Sequence, residues 1–394
     1  MPEMEQSPVR ERIAQKLDSL RQESQYRTLE TPRGINLSSN DYLGLASDAR
    51  LKAAATQAVR QSSTVGATGS RLLSGNSLEW EKLEKQFAEF AGTPAALYFG
   101  SGYAANVGLL ASLLKPGDLV FSDALNHASL IDGMRLSGAT KIIYPHRDLA
   151  ILETRLRETT SSTGAKVIVT ESLFSMAGDV APIAALFALA RRHRAEIVID
   201  EAHATGVYGP AGRGITADLQ LEREALAIVH TCGKALASSG ALICGSETLK
   251  NYLVNLARTF IFSTAAPPYF AGQIRAALEL AKNADSERAY LHALSDTLRD
   301  GLKAKGIDCG TSASHIVPVV FGTNEMALHV AKQLQQQGFA VRAIRPPTVP
   351  PGTSRIRISL TTKITSDDVR RLVAAIAAAS QTAPRERSAA ALNA

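Results

Sequence analysis

From about Leu51 onward, short apolar runs alternate with stretches of helical periodicity, and few folds accommodate that rhythm. The runs Ala95–Phe99, Leu119–Phe121, Lys141–Tyr144, Val167–Thr170, Ile197–Asp200, Ala225–Val229 and Gly240–Cys244 read as strands. Tyr103–Leu114, Ala150–Thr159 and Ile183–Arg192 read as helices between them. Strands that are apolar throughout are buried on both faces, and helices of this length are crossover connections, so the pattern predicts an α/β fold with a mostly parallel, seven-stranded sheet. In such sheets ligands sit at the carboxyl ends of the strands. After about Arg288 the pattern changes to an α+β lobe: strands at Ile316–Phe321, Ala340–Ile344 and Arg355–Leu360, helices at Asn324–Gln337 and Ser366–Ala379. The expected organisation is an N-terminal helix (Arg10–Leu29) and arm over 1–47, a large domain over 48–287, a small domain over 288–380, and a disordered Ala-, Ser- and Arg-rich tail over 381–394.

Several functions are disfavoured at once. The chain has 43 Lys plus Arg against 37 Asp plus Glu, a mild excess with no dense basic block, so nucleic acid is a poor partner and an anionic small molecule or acidic carrier protein a better one. Cys232, Cys244 and Cys309 are too scattered for a disulfide framework or a zinc site. No run of 18 apolar residues suggests a membrane span, and the charged N-terminus lacks the apolar segment of a secretory signal; a cytoplasmic protein is expected.

The residues that suggest chemistry fall just after the predicted strands. Lys234, in Thr231-Cys232-Gly233-Lys234, lies between two apolar runs, where an ammonium is costly unless it has a task; an amine with a depressed pKa forms a Schiff base with an aldehyde. Asp200 closes the run Ile197–Ile199 and opens Asp200-Glu201-Ala202-His203. It suits either a helix N-cap or an anion facing a cationic ring nitrogen, with His203 within reach of the same crevice. Gly100-Ser101-Gly102-Tyr103 turns from a strand into a helix, a place for one phosphate rather than a dinucleotide. His127 follows another strand and suits either a helix start or a face against an aromatic ring; Ser175 lies in a polar loop. Arg355 and Arg357 share one face of a strand and together suit a carboxylate.

In order and spacing, Ser38-Ser39-Asn40-Asp41-Tyr42-Leu43-Gly44-Leu45, Gly66–Asn76, Gly100–Tyr103, Asn126–Leu130, Phe174-Ser175-Met176, Asp200–His203 and Thr231–Lys234 resemble the α-oxoamine synthase family of fold-type I pyridoxal-phosphate enzymes, over about Arg10 to Ala379. The resemblance implies a cofactor, pyridoxal 5'-phosphate. Lys234 would hold its aldehyde and later shuttle the α-proton, Asp200 would pair with the ring nitrogen, and His203 and Ser175 would contact the phenolic oxygen. His127 would stack on the ring, and Gly102, Tyr103 and Thr231 would contact the phosphate. Ser263 and Thr264 resemble the segment that reaches the neighbouring subunit's phosphate, which implies a homodimer with shared active sites. Arg357 matches the carboxylate binder, and Thr348 and Arg27 match substrate contacts. Gly69–Gly75 and Ala343–Pro350 look most like family members that condense L-alanine with a pimeloyl thioester, carried on coenzyme A or on acyl carrier protein. A member acting on glycine and acetyl-CoA, or a fold-type I aminotransferase, is the alternative. Glu201 and Ala204 depart from many members and bear on the subfamily.

Overall fold

The structure, a computed structural model, describes residues 7–160 and 162–381. The expected tail, beyond Gln381, and the first six residues of the charged N-terminus lie outside them. The described residues form two compact units: one of 40–292 with 361–363, the other of 7–39, 293–360 and 364–381. Among them no helix is long and apolar enough to cross a membrane.

The larger unit is built on seven strands: β1 (Ala95–Phe99), β2 (Leu119–Asp123), β3 (Thr140–Tyr144), β4 (Lys166–Glu171), β5 (Glu196–Asp200), β6 (Ala227–Thr231) and β7 (Ala241–Gly245). Their order across the sheet is β1-β7-β6-β5-β4-β2-β3. Strands β2 to β6 run parallel, and β7 lies antiparallel to both its neighbours. This is the fold predicted from the apolar runs; the strand Ala95–Phe99 has the predicted bounds and no other strand end differs by more than two residues. The sheet is wound outward in both directions from the β2–β4 pair, so the carboxyl ends around that pair form the crevice where a doubly wound sheet binds ligands.

Burial explains why the strands hold. Leu97, Phe99, Val120, Val167, Val169, Val198, Val229 and Ile243 pack in one cluster with Leu109, Leu110 and Leu130 of the covering helices. At about 25 cal/mol per Å² of apolar surface removed from water, each such side chain contributes roughly 1.5–3 kcal/mol. The helices Gly102–Leu113 and Ala128–Ser137 cross closely at Gly133, where an added Cβ would lie 2.9 Å from the Asn106 carbonyl oxygen and 3.0 Å from Leu110 Cβ. That close crossing brings Asn106 and Ser129 into contact at the crevice.

In the smaller unit, Ile316–Gly322, Ala343–Ile344 and Ser354–Ser359 form an antiparallel sheet, and Ile35–Asn36 pairs in parallel with Phe339–Ala340. Two expectations are corrected. The strand predicted over Ala340–Ile344 is two short strands with different partners, because the chain turns tightly between them, the Val341 amide bonding the Phe339 carbonyl at 3.0 Å. The helix predicted over Arg10–Leu29 is Pro8–Gln22. It stops because Ser24 takes a left-handed φ of 53° and the amides of Gln25 and Tyr26 both fold back on the Leu20 carbonyl.

Candidate functional site

A cavity of about 340 Å³ opens at the carboxyl ends of these strands, lined by Gly102, Tyr103, His127, Asp200, His203, Thr231 and Lys234 among others. Seven of the residues singled out in the sequence therefore meet at one place. A larger cavity, about 460 Å³, between helices Ala49–Gln61 and Tyr269–Lys282, holds none of them.

Lys234 lies in the turn between β6 and β7. The Cys232 amide bonds the Gly240 carbonyl, the Ser238 amide the Cys232 carbonyl and the Ala237 amide the Lys234 carbonyl, so the turn is closed on itself and the lysine is half-buried. Its Nζ is 2.7 Å from His203 Nε2, and His203 Nδ1 is 2.6 Å from the Tyr42 hydroxyl, which donates to Asn40 Oδ1 at 3.1 Å. One consistent direction runs through the whole row. With Lys234 as an ammonium, Nζ donates to Nε2, Nδ1–H donates to Tyr42, and Tyr42 donates to Asn40. The Tyr42 bond to Asn40 thus places the His203 proton on Nδ1 and leaves Nε2 to accept from Lys234.

Asp200 ends β5, and its carboxylate accepts from the Asn106 side-chain amide at 2.7 Å and the Ala202 backbone amide at 2.8 Å. On the neighbouring strand Glu171 stands in register with it, so both side chains project to the same side of the sheet, and both are almost fully buried. Desolvation and the Asp200 charge raise the pKa of Glu171 well above the ordinary carboxyl value, against the Lys234 charge and the backbone amides of His127 and Ser175. Glu171 Oε1 is buried without a hydrogen-bond partner. Glu201 faces elsewhere, accepting from Ser172, Ile215 and both donors of Thr216, and so anchors the segment after Asp200.

His127 caps the helix Ala128–Ser137, its Nδ1 2.7 Å from Ser129 Oγ. Desolvation lowers its pKa; Asp200 opposes the shift and Lys234 adds to it, so at neutral pH the ring is uncharged. Tyr103 presents its edge toward His127 and bonds Asp132. Gly102 begins the helix whose N-cap is Ser101, and an added Cβ there would meet Thr231 Cγ2 at 2.9 Å. Only glycine lets the helix start come so close to Thr231, whose hydroxyl donates to the Ala202 carbonyl at 3.2 Å.

The remaining expected residues are not in the cavity lining. Ser175 is buried in the loop after β4. Ser263 and Thr264 are exposed; Thr264 bridges Ser70, and the Ala265 amide bonds the Gly69 carbonyl, pinning this segment to the Gly69–Gly75 loop. In the smaller unit Arg357 is buried and donates to Ser359 Oγ at 2.7 Å, Arg27 donates to the Pro346 carbonyl at 3.2 Å, and Thr348 is exposed. Tyr42, Asn106, Ser129 and Glu171 are among the lining or supporting residues that sequence reasoning left without a role. Glu171 was findable, because it closes an apolar strand as Asp200 does. Asn106 is the polar residue in an otherwise apolar helix stretch.

A family model described as aminotransferase class I and II matches residues 32–376. A curated relative from Geobacillus kaustophilus (strain HTA426), named "Putative 8-amino-7-oxononanoate synthase", is 46% identical over 346 residues, covering 88% of this chain and 88% of that protein. Among solved structures, a lysine-to-alanine variant of serine palmitoyltransferase from S. paucimobilis, with bound PLP–myriocin aldimine, is 27% identical with a TM-score of 0.86, covering 94% of this chain and 96% of that one. The 8-amino-7-oxononanoate synthase from Francisella tularensis is 28% identical with a TM-score of 0.76, covering 88% and 97%. The cavity, the fold around it and these likenesses agree: the chain belongs to the class I and II aminotransferase family, on its α-oxoamine synthase branch.

Proposed function

We propose that this protein joins L-alanine to a pimeloyl thioester, releasing the thiol and carbon dioxide and forming 8-amino-7-oxononanoate, a step of biotin biosynthesis. The observation that carries the reaction class is the meeting of Lys234, the Asp200 carboxylate and the Gly102 helix start in one cavity. The choice of substrates is supported by the name of the 46% identical relative.

Pyridoxal 5'-phosphate is the cofactor of this enzyme family, and the residues fit it. A buried carboxylate suits a protonated ring nitrogen, a half-buried amine suits an aldehyde, and a helix start narrowed by Gly102 suits a phosphate. When bound, the cofactor supplies an aldehyde to combine with amines and a cationic ring that accepts the electrons of a bond broken at the α-carbon. Asp200, oriented by two amide donors, holds the ring nitrogen's proton in place. His203 and Ser175 bind the phenolic oxygen, and His127, uncharged, lies against the ring face. Gly102, Tyr103 and Thr231 hold the phosphate, with Ser263 and Thr264 serving the partner copy's site in a homodimer. The exposed Leu73 and Phe262, 85% and 71% accessible, support a second copy covering this surface. In the other unit, Arg357 binds the amino acid's carboxylate, and Arg27 and Thr348 contact substrate. Lys234 Nζ takes the α-proton and returns one to the product. His203 Nε2, at 2.7 Å, orients that amine. A cytoplasmic enzyme fits this role.

Serine palmitoyltransferase is the second reading, favoured by the 0.86 TM-score. The test is mass-spectrometric product detection after supplying the cofactor-loaded protein with paired substrates: L-alanine with pimeloyl-CoA or pimeloyl carrier protein, L-serine with palmitoyl-CoA, and glycine with acetyl-CoA. The expected product is 8-amino-7-oxononanoate, lost in Lys234→Ala. A product from serine or glycine alone overturns the substrate assignment. Unchanged turnover in Lys234→Ala overturns the reaction class.

A further inference from the structure

A second constellation of charge sits beside the cavity, at the same edge of the sheet. His146, just past β3, has Nδ1 2.8 Å from Asp123 Oδ1 and Nε2 2.7 Å from Asp179 Oδ2. A carboxylate only accepts, so a ring that bonds one at each nitrogen carries both protons and is an imidazolium. Arg147 completes the set: its backbone amide donates to Asp123 Oδ2 at 2.9 Å and its guanidinium to Asp179 Oδ2 at 3.2 Å. Two buried carboxylates are therefore balanced by two cations.

The two carboxylates belong to different loops, and each loop carries a residue of the site. Asp123 ends β2 and leads through Asn126 to His127. The Asn126 amide bonds the Asp123 carbonyl, and its side chain reaches the Val169 carbonyl at 2.7 Å. Asp179 closes the loop after β4, its carbonyl accepting from the Phe174 amide at 3.0 Å, with Ser175 next in the chain. Phe174 also meets His146 edge-on, with ring centroids 4.4 Å apart. The His146 side chain bonds both loop ends.

We propose that His146, as an imidazolium between Asp123 and Asp179, is a positioning residue that fixes the loops of His127 and Ser175 relative to each other, and so sets how firmly pyridoxal phosphate is held. The proposal rests on the reading that those two residues flank the cofactor. The charged groups at His146 are Asp123 from β2 and Asp179 from the loop after β4, with Arg147 of its own segment on Asp179 and the Tyr144 hydroxyl near Asp123. Partial burial opposes charging the ring, but the bonds to Asp123 and Asp179 outweigh it and push its pKa up to about 9. In the folded protein the ring keeps its proton, and the clamp is complete, until pH approaches about 9; its contribution to stability is full below the ordinary imidazole value of 6.5 and is lost as pH rises through about 9. Loss of the proton turns a ring nitrogen's lone pair toward a buried carboxylate.

The test is the affinity for pyridoxal phosphate, followed by absorbance, in the full-length protein between pH 7 and 10. Unmodified protein is expected to hold the cofactor evenly to about pH 8.5 and to weaken through about pH 9. His146→Gln is expected to bind roughly tenfold more weakly at pH 7.5, the scale of coupling between linked sites, with no added loss on the alkaline side. Asp179→Asn, which leaves one carboxylate on the ring, is expected to move the alkaline limb about one pH unit toward neutrality. That limb decides the matter if His146→Gln does not fold. Equal affinity in His146→Gln, or a limb that stays in place in Asp179→Asn, overturns the clamp and leaves the functional reading standing. Failure of the unmodified protein to take up pyridoxal phosphate at any pH overturns both.

Discussion

The carboxyl edge of the large sheet carries two pairs of carboxylates, and they are handled in opposite ways. Asp123 and Asp179, on the flank, share His146 and Arg147, and both are tied into cationic bonds. Glu171 and Asp200, at the centre, stand in register on adjacent strands. The bonds to Asp200 from Asn106 and Ala202 come from neutral amides. A buried carboxylate pair is costly unless a cation or a proton relieves it. The flank supplies its own cation and is structural. At the centre the raised pKa of Glu171 lets a proton relieve the pair, and under the proposed function a cationic ring nitrogen of the cofactor would offset Asp200. The difference separates a clamp from a binding site.

Replacing the central charge gives the largest expected effect. Asp200→Asn keeps the shape and can still meet Ala202, but it removes the anion, so product formation is expected to fall roughly 10²- to 10³-fold, the range for losing one aligned electrostatic partner of a transition state. The fold, read by circular dichroism, stays intact. Thiol release within tenfold of the unmodified enzyme would break the contrast between the pairs.

Of the two pairs, only the central one is partly legible in the sequence. Asp200 could be read because it ends an apolar strand, and the apolar strands themselves follow from the requirement that a covered sheet buries both faces. Glu171 ends its strand in the same way, yet what makes it notable is its register beside Asp200, and pairing between strands is not written along the chain. His146 sits in Tyr144-Pro145-His146-Arg147, with nothing local to separate it from a surface histidine; Asp179 is 33 residues away and only the β3–β2–β4 order brings them together. The N-terminal helix was overextended because its polar sequence has no buried face to mark an end. Local pattern thus located the strand ends, and topology decided which strand ends meet.

The central pair yields a second, smaller effect. Glu171 holds its proton in the folded protein over a range where the unfolded chain, with an ordinary value of 4.5, has lost it. Folding therefore binds a proton, and stability falls as pH rises from about that value through the raised pKa. Glu171→Gln mimics the protonated form. It is expected to match the unmodified protein's melting temperature near pH 4.5, to exceed it by pH 8, and to change turnover less than tenfold. Parallel melting curves for the two proteins across that range would mean that Glu171 is ionised and that the centre is relieved in some other way.

The smallest effect tests the row that leads out from Lys234. Tyr42 is fully buried, and its hydroxyl links His203 Nδ1 at 2.6 Å with Asn40 at 3.1 Å. Tyr42→Phe removes that link, keeps the ring volume and touches neither carboxylate pair. A buried hydrogen bond contributes about 1 kcal/mol, so a roughly fivefold loss in kcat is expected, with a slight fall in melting temperature. Because the lost bond orients His203 rather than holding the amino acid, KM for that substrate should stay within about twofold. If KM rises and kcat holds, Tyr42 acts on substrate binding and not by orienting His203. If kcat falls as far as in Asp200→Asn, the row and the central carboxylate act as one unit, and the row supplies as much of the chemistry as the carboxylate beside it.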